Sequence, residues 1–409
     1  MPDTTKLESY ITQQAKLCIH NAEGDLKFPY VTPTAAIKPG GDDDSILPER
    51  SRIGHYLQMY DWDACFFSQA SSRINARGFG KYVVANFLAL QDETGHIPRT
   101  ISPHRIWDQG DLCKPFLCQT LLAHCEADNF ANTNFIIDAV SKLHNYLNYF
   151  DKTRLHETGL YRWRNVLESG IDNNLALLTP LEASKDENTD TQCPDHRLLA
   201  CDLNGYLAAE FAAFSQLAER SGALSAAREY AEKKEKLCQA IETYLWNDEL
   251  SLYCNFDPVT EQQVGLRSWS GLVPALMEQV SEERRDLVTK NNLLASEHFY
   301  RPCGIASMAQ SEPLYNQAKR GLYNRAIVSN WQGPMWVLPN VLAVRFLLAQ
   351  NMQKQAEELA LRVINTLVDS LNNTGTLYEN YNCETGMPLW APEFVSWNVL
   401  ALELIDLVR

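Results

Sequence analysis

At 409 residues, 45% of them apolar and 21% charged, the chain is long enough for two or three average domains or one large closed architecture. A formal charge of −15 argues against nucleic acid or an anionic membrane as partner and leaves a small molecule. No signal-like apolar core, no stretch of transmembrane length and eleven cysteines without a CxxC pair predict a reduced, cytoplasmic protein with no membrane partner. The nine histidines form neither HExxH nor a Cys/His cluster at metal spacing, so neither metal nor cofactor is expected. The oligomeric state is open, a homo-oligomer included.

In chain order, helical periodicity dominates. Ile136, Val140, Leu143, Leu147 and Phe150 recur at three- and four-residue steps, as do Leu199, Leu203, Tyr206 and Phe211. Leu359, Val363, Ile364, Leu367, Val368 and Leu371 form a third stripe, and Trp397, Leu400, Ala401, Leu404 and Ile405 a fourth. Gly- and Pro-bearing breaks such as "KPGGDDDSILPE", "DETGHIPRTISP" and "NNTGTLYENYNCETGMPLWAP" separate the stripes. A weak echo in "TGLYRW" (158–163), "WNDELSLYCNFD" (246–257) and "TGTLYENYNCETG" (374–386) reads as short hairpins capping helix pairs. No long alternating run predicts a central sheet. The pattern predicts an all-α toroid of paired helices, residues 1–409 as a single domain, with β-hairpins confined to loops. A two-domain helical protein is the alternative, but no Pro/Ser/Gly-rich linker marks a boundary.

Five polar-aromatic segments interrupt the stripes: "YDWDACFF" (60–67), "TGHIPRTISP" (94–103), "LESGIDNN" (167–174), "NWQGPMW" (330–336) and "LYENYNCETGMPLWAPEFVSW" (377–397). Six of the nine tryptophans lie in or beside them: Trp62, Trp163, Trp331, Trp336, Trp390 and Trp397. An indole on a polar loop is a platform for a flat ligand with polar edges, and a sugar ring is such a ligand. Breaking an acetal by direct attack of water needs a general acid and a general base on opposite faces, roughly 6.5–9.5 Å apart. Asp172 and Glu379 lie far apart in sequence on separate loops and meet that description. The residues alone leave Asp172 between this role and a helix N-cap for the run beginning at Leu175.

"ESGIDN", a later "ENY" and then "SW" before a closing helix resemble the inverting α-glycosidases of glycoside hydrolase families sixty-three and thirty-seven. These families include α-glucosidases, trehalases and hydrolases of mannosylglycerate and glucosylglycerate. "YDWDACFF" looks like their Trp-Asp sugar-binding motif, "TGHIPRT" like their Gly-x-Ile-Pro loop, and "NWQGPMW" like their Gly-Pro-hydrophobic-Trp motif. The resemblance implies an (α/α)6 barrel with Asp172 as general acid and Glu379 as general base. It further implies a substrate site of Tyr60, Trp62, Asp63, Arg99, Gln332, Gly333 and Trp336. Glu168 and Asn173 would support the acid loop, Tyr381 and Trp397 would flank the base, and Glu393 would orient the water.

The chain departs from that pattern in three places. Lys114 in "LCKPFL" stands where relatives place Gln-Pro-Pro, and an ammonium there has two uses. It meets an anionic leaving group, or it holds Asp63 or another site acid ionised and in place; a solvated surface charge is the third reading. Gln332 stands where glycerate-releasing relatives tend to carry a base, and "TPLEASKDENTDTQCPDHR" (179–197) offers no match to their carboxylate clamp. A small α-glucoside or disaccharide is therefore the expected substrate, with mannosylglycerate, glucosylglycerate and trehalose as rivals. Sugar epimerases share the architecture but use paired His bases, and no His falls beside Asp172 or Glu379. A sugar-binding protein would not need both carboxyls.

Overall fold

The structure is a computed structural model that describes residues 3–35, 56, 58–103, 106–131, 133–177, 197–317 and 329–409. The segment 38–49 and nearly all of 179–197, singled out above, lie outside the described residues. Thirteen helices are described. The first six are α1 (Thr5–Leu17), α2 (Asp61–Gln69), α3 (Phe79–Ala89), α4 (Leu117–Ala127), α5 (Thr133–Thr153) and α6 (Val166–Ser169). Then follow α7 (Cys201–Ser221), α8 (Leu224–Ala240), α9 (Trp269–Leu276), α10 (Glu282–Val288), α11 (Val337–Ala349), α12 (Gln353–Thr374) and α13 (Ala401–Val408).

Packing sorts these helices into two rings. In the inner ring α2 packs on α4, α4 on α7, α7 on α9 and α9 on α11. The 3-10 stretch Ser396–Leu400 that leads into α13 contacts both α11 and α2, which closes the circle. Outside it, α1 lies on α12, α13 and the 3-10 stretch, α3 on α2 and α4, α5 and α8 on α7, α10 on α9, and α12 on α11. The chain thus alternates outer and inner helix six times, with α6 a single turn in a connecting loop. Sequence dictates the sorting. All eight residues of α9 and eight of the nine in α2 are buried, whereas α8 buries only Ala227, Tyr230, Leu237 and Ala240 and sends its Lys and Glu residues outward.

Strands are short and antiparallel throughout the described residues, in sheets of two or three. The two three-stranded sheets join Met59–Tyr60, Pro98–Ile101 and Ile106–Leu112, and Met335–Trp336, Tyr378–Tyr381 and Pro388–Pro392. Each begins with a strand that runs directly into an inner helix, α2 or α11. The expected hairpins stand at 246–253 and 378–392. The buried apolar side chains form one connected cluster from Leu7 to Ile405. This is the predicted all-α toroid, with six inner and six outer helices. One segment differs: "YDWDACFF", read as a polar interruption, is mostly the helix α2. Among the described residues no helix is long and apolar enough to cross a membrane.

Candidate active site

The inner helices α2, α4 and α11 and the Ser396–Leu400 turn begin at or just after residues that line one cavity of about 230 Å3. Its wall includes Tyr60, Asp61, Trp62 and Asp63 at the start of α2, Lys114 just before α4, Trp331 and Trp336 before α11, and Trp397. Gly170 and Asp172 enter from the loop after α6, Glu379 from the strand Tyr378–Tyr381, and Arg99 from Pro98–Ile101. A volume below the roughly 300–1,000 Å3 of sites for drug-sized ligands suits one small polar ring. A larger groove of about 820 Å3 lies by Ser68 and Gln69, at the other end of α2, but Asp128 is its one acidic lining residue.

Four indoles make the wall. Trp331 stacks on Trp336 at 4.1 Å and 14°, Trp62 tilts against Trp331 at 5.9 Å, and Trp397 stands edge-on to Trp62 at 5.5 Å. Trp336 Nε1 donates to the Asn330 carbonyl, whereas the buried Nε1 groups of Trp331 and Trp397 have no partner among the described residues.

The acid loop is irregular for a visible reason. Asn165 caps the turn α6 by accepting the Glu168 N–H, and Gly170, at φ +77°, ends it in the left-handed region. Glu168 is buried and holds the turn from behind: its carboxylate pairs with Arg154 at 2.7 Å and accepts the Leu112 and Arg164 N–H groups. On the other side Asn173 accepts the Trp331 N–H at 2.7 Å and donates to Asn330 Oδ1 at 2.9 Å. Asp172 therefore enters the cavity from a loop fixed at both flanks.

Three further carboxyls share the cavity wall. Glu379 accepts the Tyr56 hydroxyl at 3.1 Å, and burial, then the charges of Asp172 and Asp63, hold it well above the usual carboxylate range. Asp63 accepts the Ser396 hydroxyl at 2.6 Å; burial first, then the Asp61 charge, push it up to about 7, against that hydrogen bond and the Lys114 charge. Asp61 is ion-paired with Lys114. Among the described residues no group of three or more His, Cys, Asp or Glu side chains is placed to hold a metal ion.

Of the residues singled out in the sequence, Asp172, Glu379, Tyr60, Trp62, Asp63, Arg99, Lys114, Trp336 and Trp397 line the cavity. Six do not. Glu168 and Asn173 brace the acid loop. Gln332 is buried and accepts from Asn316 Nδ2 at 2.7 Å, and the Gly333 N–H donates to Ser307. Tyr381 is fully buried and its hydroxyl accepts the Tyr378 N–H. Glu393 is exposed at the outer side, where its charge bears on Tyr10 and Cys18 instead of the cavity. Lys114 is no surface charge, with 1% of its side chain exposed. The structure adds Tyr56, Asp61, Gly170, Trp331 and Phe394 to the wall. Trp331 had a signal in its motif, while Tyr56, four residues before Tyr60, had only its spacing.

A helical toroid whose mouth gathers carboxyls among tryptophans is an architecture for cutting glycosidic bonds. The chain matches the family model described as the mannosylglycerate hydrolase MGH1-like glycoside hydrolase domain over residues 56–397; it belongs to that family and is a glycoside hydrolase. It is 22% identical over 268 residues to a probable mannosyl-oligosaccharide glucosidase of Schizosaccharomyces pombe (strain 972 / ATCC 24843), a match covering 60% of this chain and 30% of that protein's length. Its fold is similar to that of the GH63 mannosylglycerate hydrolase from Thermus thermophilus in complex with glucose, with a TM-score of 0.69 at 17% identity over 99% of this chain and 100% of that one. It is also similar to neutral trehalase Nth1 from Saccharomyces cerevisiae, with a TM-score of 0.65 at 14% identity over 100% and 81% of the two chains.

Proposed function

We propose that the enzyme is an inverting α-glycosidase that cleaves a small α-linked glucoside or disaccharide. Asp172 acts as general acid on the departing oxygen, and Glu379 as general base on the attacking water. The observation that carries this reading is that these two carboxyls line one cavity of single-ring size together with four tryptophans. Trp62, Trp331 and Trp336 supply the apolar face, and Asp63 accepts hydroxyl hydrogen bonds. The Glu379 carboxyl is raised in part by the Asp172 charge, and acid–base catalysis needs one of the two protonated and the other ionised.

The test is release of sugar from a panel of α-linked disaccharides, 4-nitrophenyl α-glucoside, glucosylglycerate and mannosylglycerate, with Asp172→Asn and Glu379→Gln beside the parent enzyme. Each variant should lose at least about 100-fold in kcat while still binding sugar. NMR of fresh product should show the inverted anomer, and retention would overturn the mechanism. Cleavage of glycerate-bearing substrates alone would favour the second reading, a glycerate-releasing hydrolase. The family description supports that second reading; the placement of Gln332 against Asn316, with no base in the motif, speaks against it.

A further inference from the structure

Lys114 touches two walls of the cavity at once. Its ammonium lies 3.0 and 3.1 Å from the two Asp61 carboxylate oxygens, and its backbone N–H donates to Asp61 Oδ2 at 2.8 Å. Asp61 Oδ1 also accepts the Trp62 N–H at 2.7 Å, so this one carboxylate ties Lys114 to the first turn of α2. The ammonium stands 5.0 Å from the Trp62 ring centroid, a cation–π contact. On its other side Lys114 abuts Gly170. A Cβ on that glycine would stand 2.5 Å from Lys114 Cε, 3.0 Å from its Nζ and 3.0 Å from Trp62 Cζ2. Gly170 lies two residues before Asp172.

We infer that Lys114 is a positioning residue: through Asp61 and Gly170 it sets the gap between the Trp62 platform and the loop that carries Asp172, and it does not bind an anionic part of the substrate. The inference rests on the acid–base reading of Asp172. The ion pairing supports it, because the Lys114 ammonium is already engaged by both oxygens of Asp61 and is not free to receive an incoming carboxylate. The packing supports it too. The side chain is wedged where glycine alone fits, and a displacement of about 1 Å in a reacting group costs on the order of 100-fold in rate.

The experiment compares Lys114→Met, Asp61→Asn and the double variant on neutral 4-nitrophenyl α-glucoside and anionic glucosylglycerate, with a thermal melt of each. Lys114→Met leaves Asp61 buried and unpaired, so its Tm should fall; the double variant removes both charges and should regain Tm. The positioning role expects kcat to fall about 10- to 100-fold by the same factor on both substrates with KM little changed, and to stay low in the double variant. A KM rise confined to glucosylglycerate would make Lys114 an anion receptor instead. Recovery of kcat together with Tm in the double variant would reduce it to neutralising Asp61, and either result overturns the inference. Asp172→Asn assayed alongside separates the two readings. Turnover in that variant defeats the acid assignment, whereas its inactivity beside unaffected Lys114 variants defeats the positioning role alone.

Discussion

Glu379 is the residue on which protonation and stability meet. It is 6% exposed, and burial leads the causes that raise its carboxyl well above the ordinary range. On the acid–base reading proposed above Glu379 must be ionised, so kcat/KM should fall as pH drops through this raised value, above the ordinary Glu range near about 4.3. The Tyr56 hydroxyl lowers the value by stabilising the charged form. Tyr56→Phe should therefore move the acidic limb of the pH–rate profile to higher pH, and an unmoved limb would detach Tyr56 from the base. The same raised value carries a stability consequence. Above it the folded protein holds a buried charge that the unfolded chain solvates freely, and this cost fades as pH falls through the folded value. Glu379→Gln should raise stability by roughly 0.5–2 kcal/mol at pH 8 and by less at pH 5, read from thermal melts at both. Asp172 and Glu379 lie in two of the polar-aromatic segments the sequence sets apart, and both line the cavity. Tyr56 and Asp61 were not singled out, since their partners Glu379 and Lys114 lie 323 and 53 residues away.

At the scale of elements, the short turn α6 would not stand alone, because four residues give one turn and little cooperativity. It is held by Glu168, whose partner Arg154 has 9% of its side chain exposed. Removing one member of a buried pair strands the other, so Glu168→Ala should destabilise the fold by about 3–5 kcal/mol in urea denaturation. It should also lower kcat more than it raises KM, because Asp172 loses its seat. A loss below about 1 kcal/mol, the size of an exposed ion pair, would show that the pair is not bracing the loop. The same scale explains what the sequence pattern reached and missed. Outer helices such as α5 and α12 show one apolar stripe, which periodicity detects. The inner helix α2 is buried on all sides and carries Asp61, Asp63 and Trp62, so no stripe distinguishes it from a polar-aromatic loop.

Over the whole molecule, the ring is closed by its last members, and this bears on the single-domain reading. The Ser396–Leu400 turn packs on α2 and sends the Ser396 hydroxyl to Asp63, while α13 packs on α12 and α1. Glu403 in α13 accepts two bonds from Arg345 of α11, at 3.0 and 2.7 Å. Residues from opposite ends of the chain thus complete one wall of the site, and inner helices find neighbours on both flanks only when the circle is whole. Long-range closure of this kind is what a single cooperative unit requires, and the expectation of one domain is tested by its melting. We expect a single calorimetric transition whose van't Hoff and calorimetric enthalpies agree, and we expect deletion of residues 401–409 to abolish both that transition and glycosidase activity. A two-domain chain would behave differently. Its deletion variant would keep one transition intact and lose the other, and the parent enzyme would melt in two steps. Leu404 and Ile405 are each 1% exposed, so the deletion uncovers apolar surface on α12 and α1 that no other described element is placed to cover. Calorimetry of the parent and the deletion variant together decides between one closed ring and two separable halves.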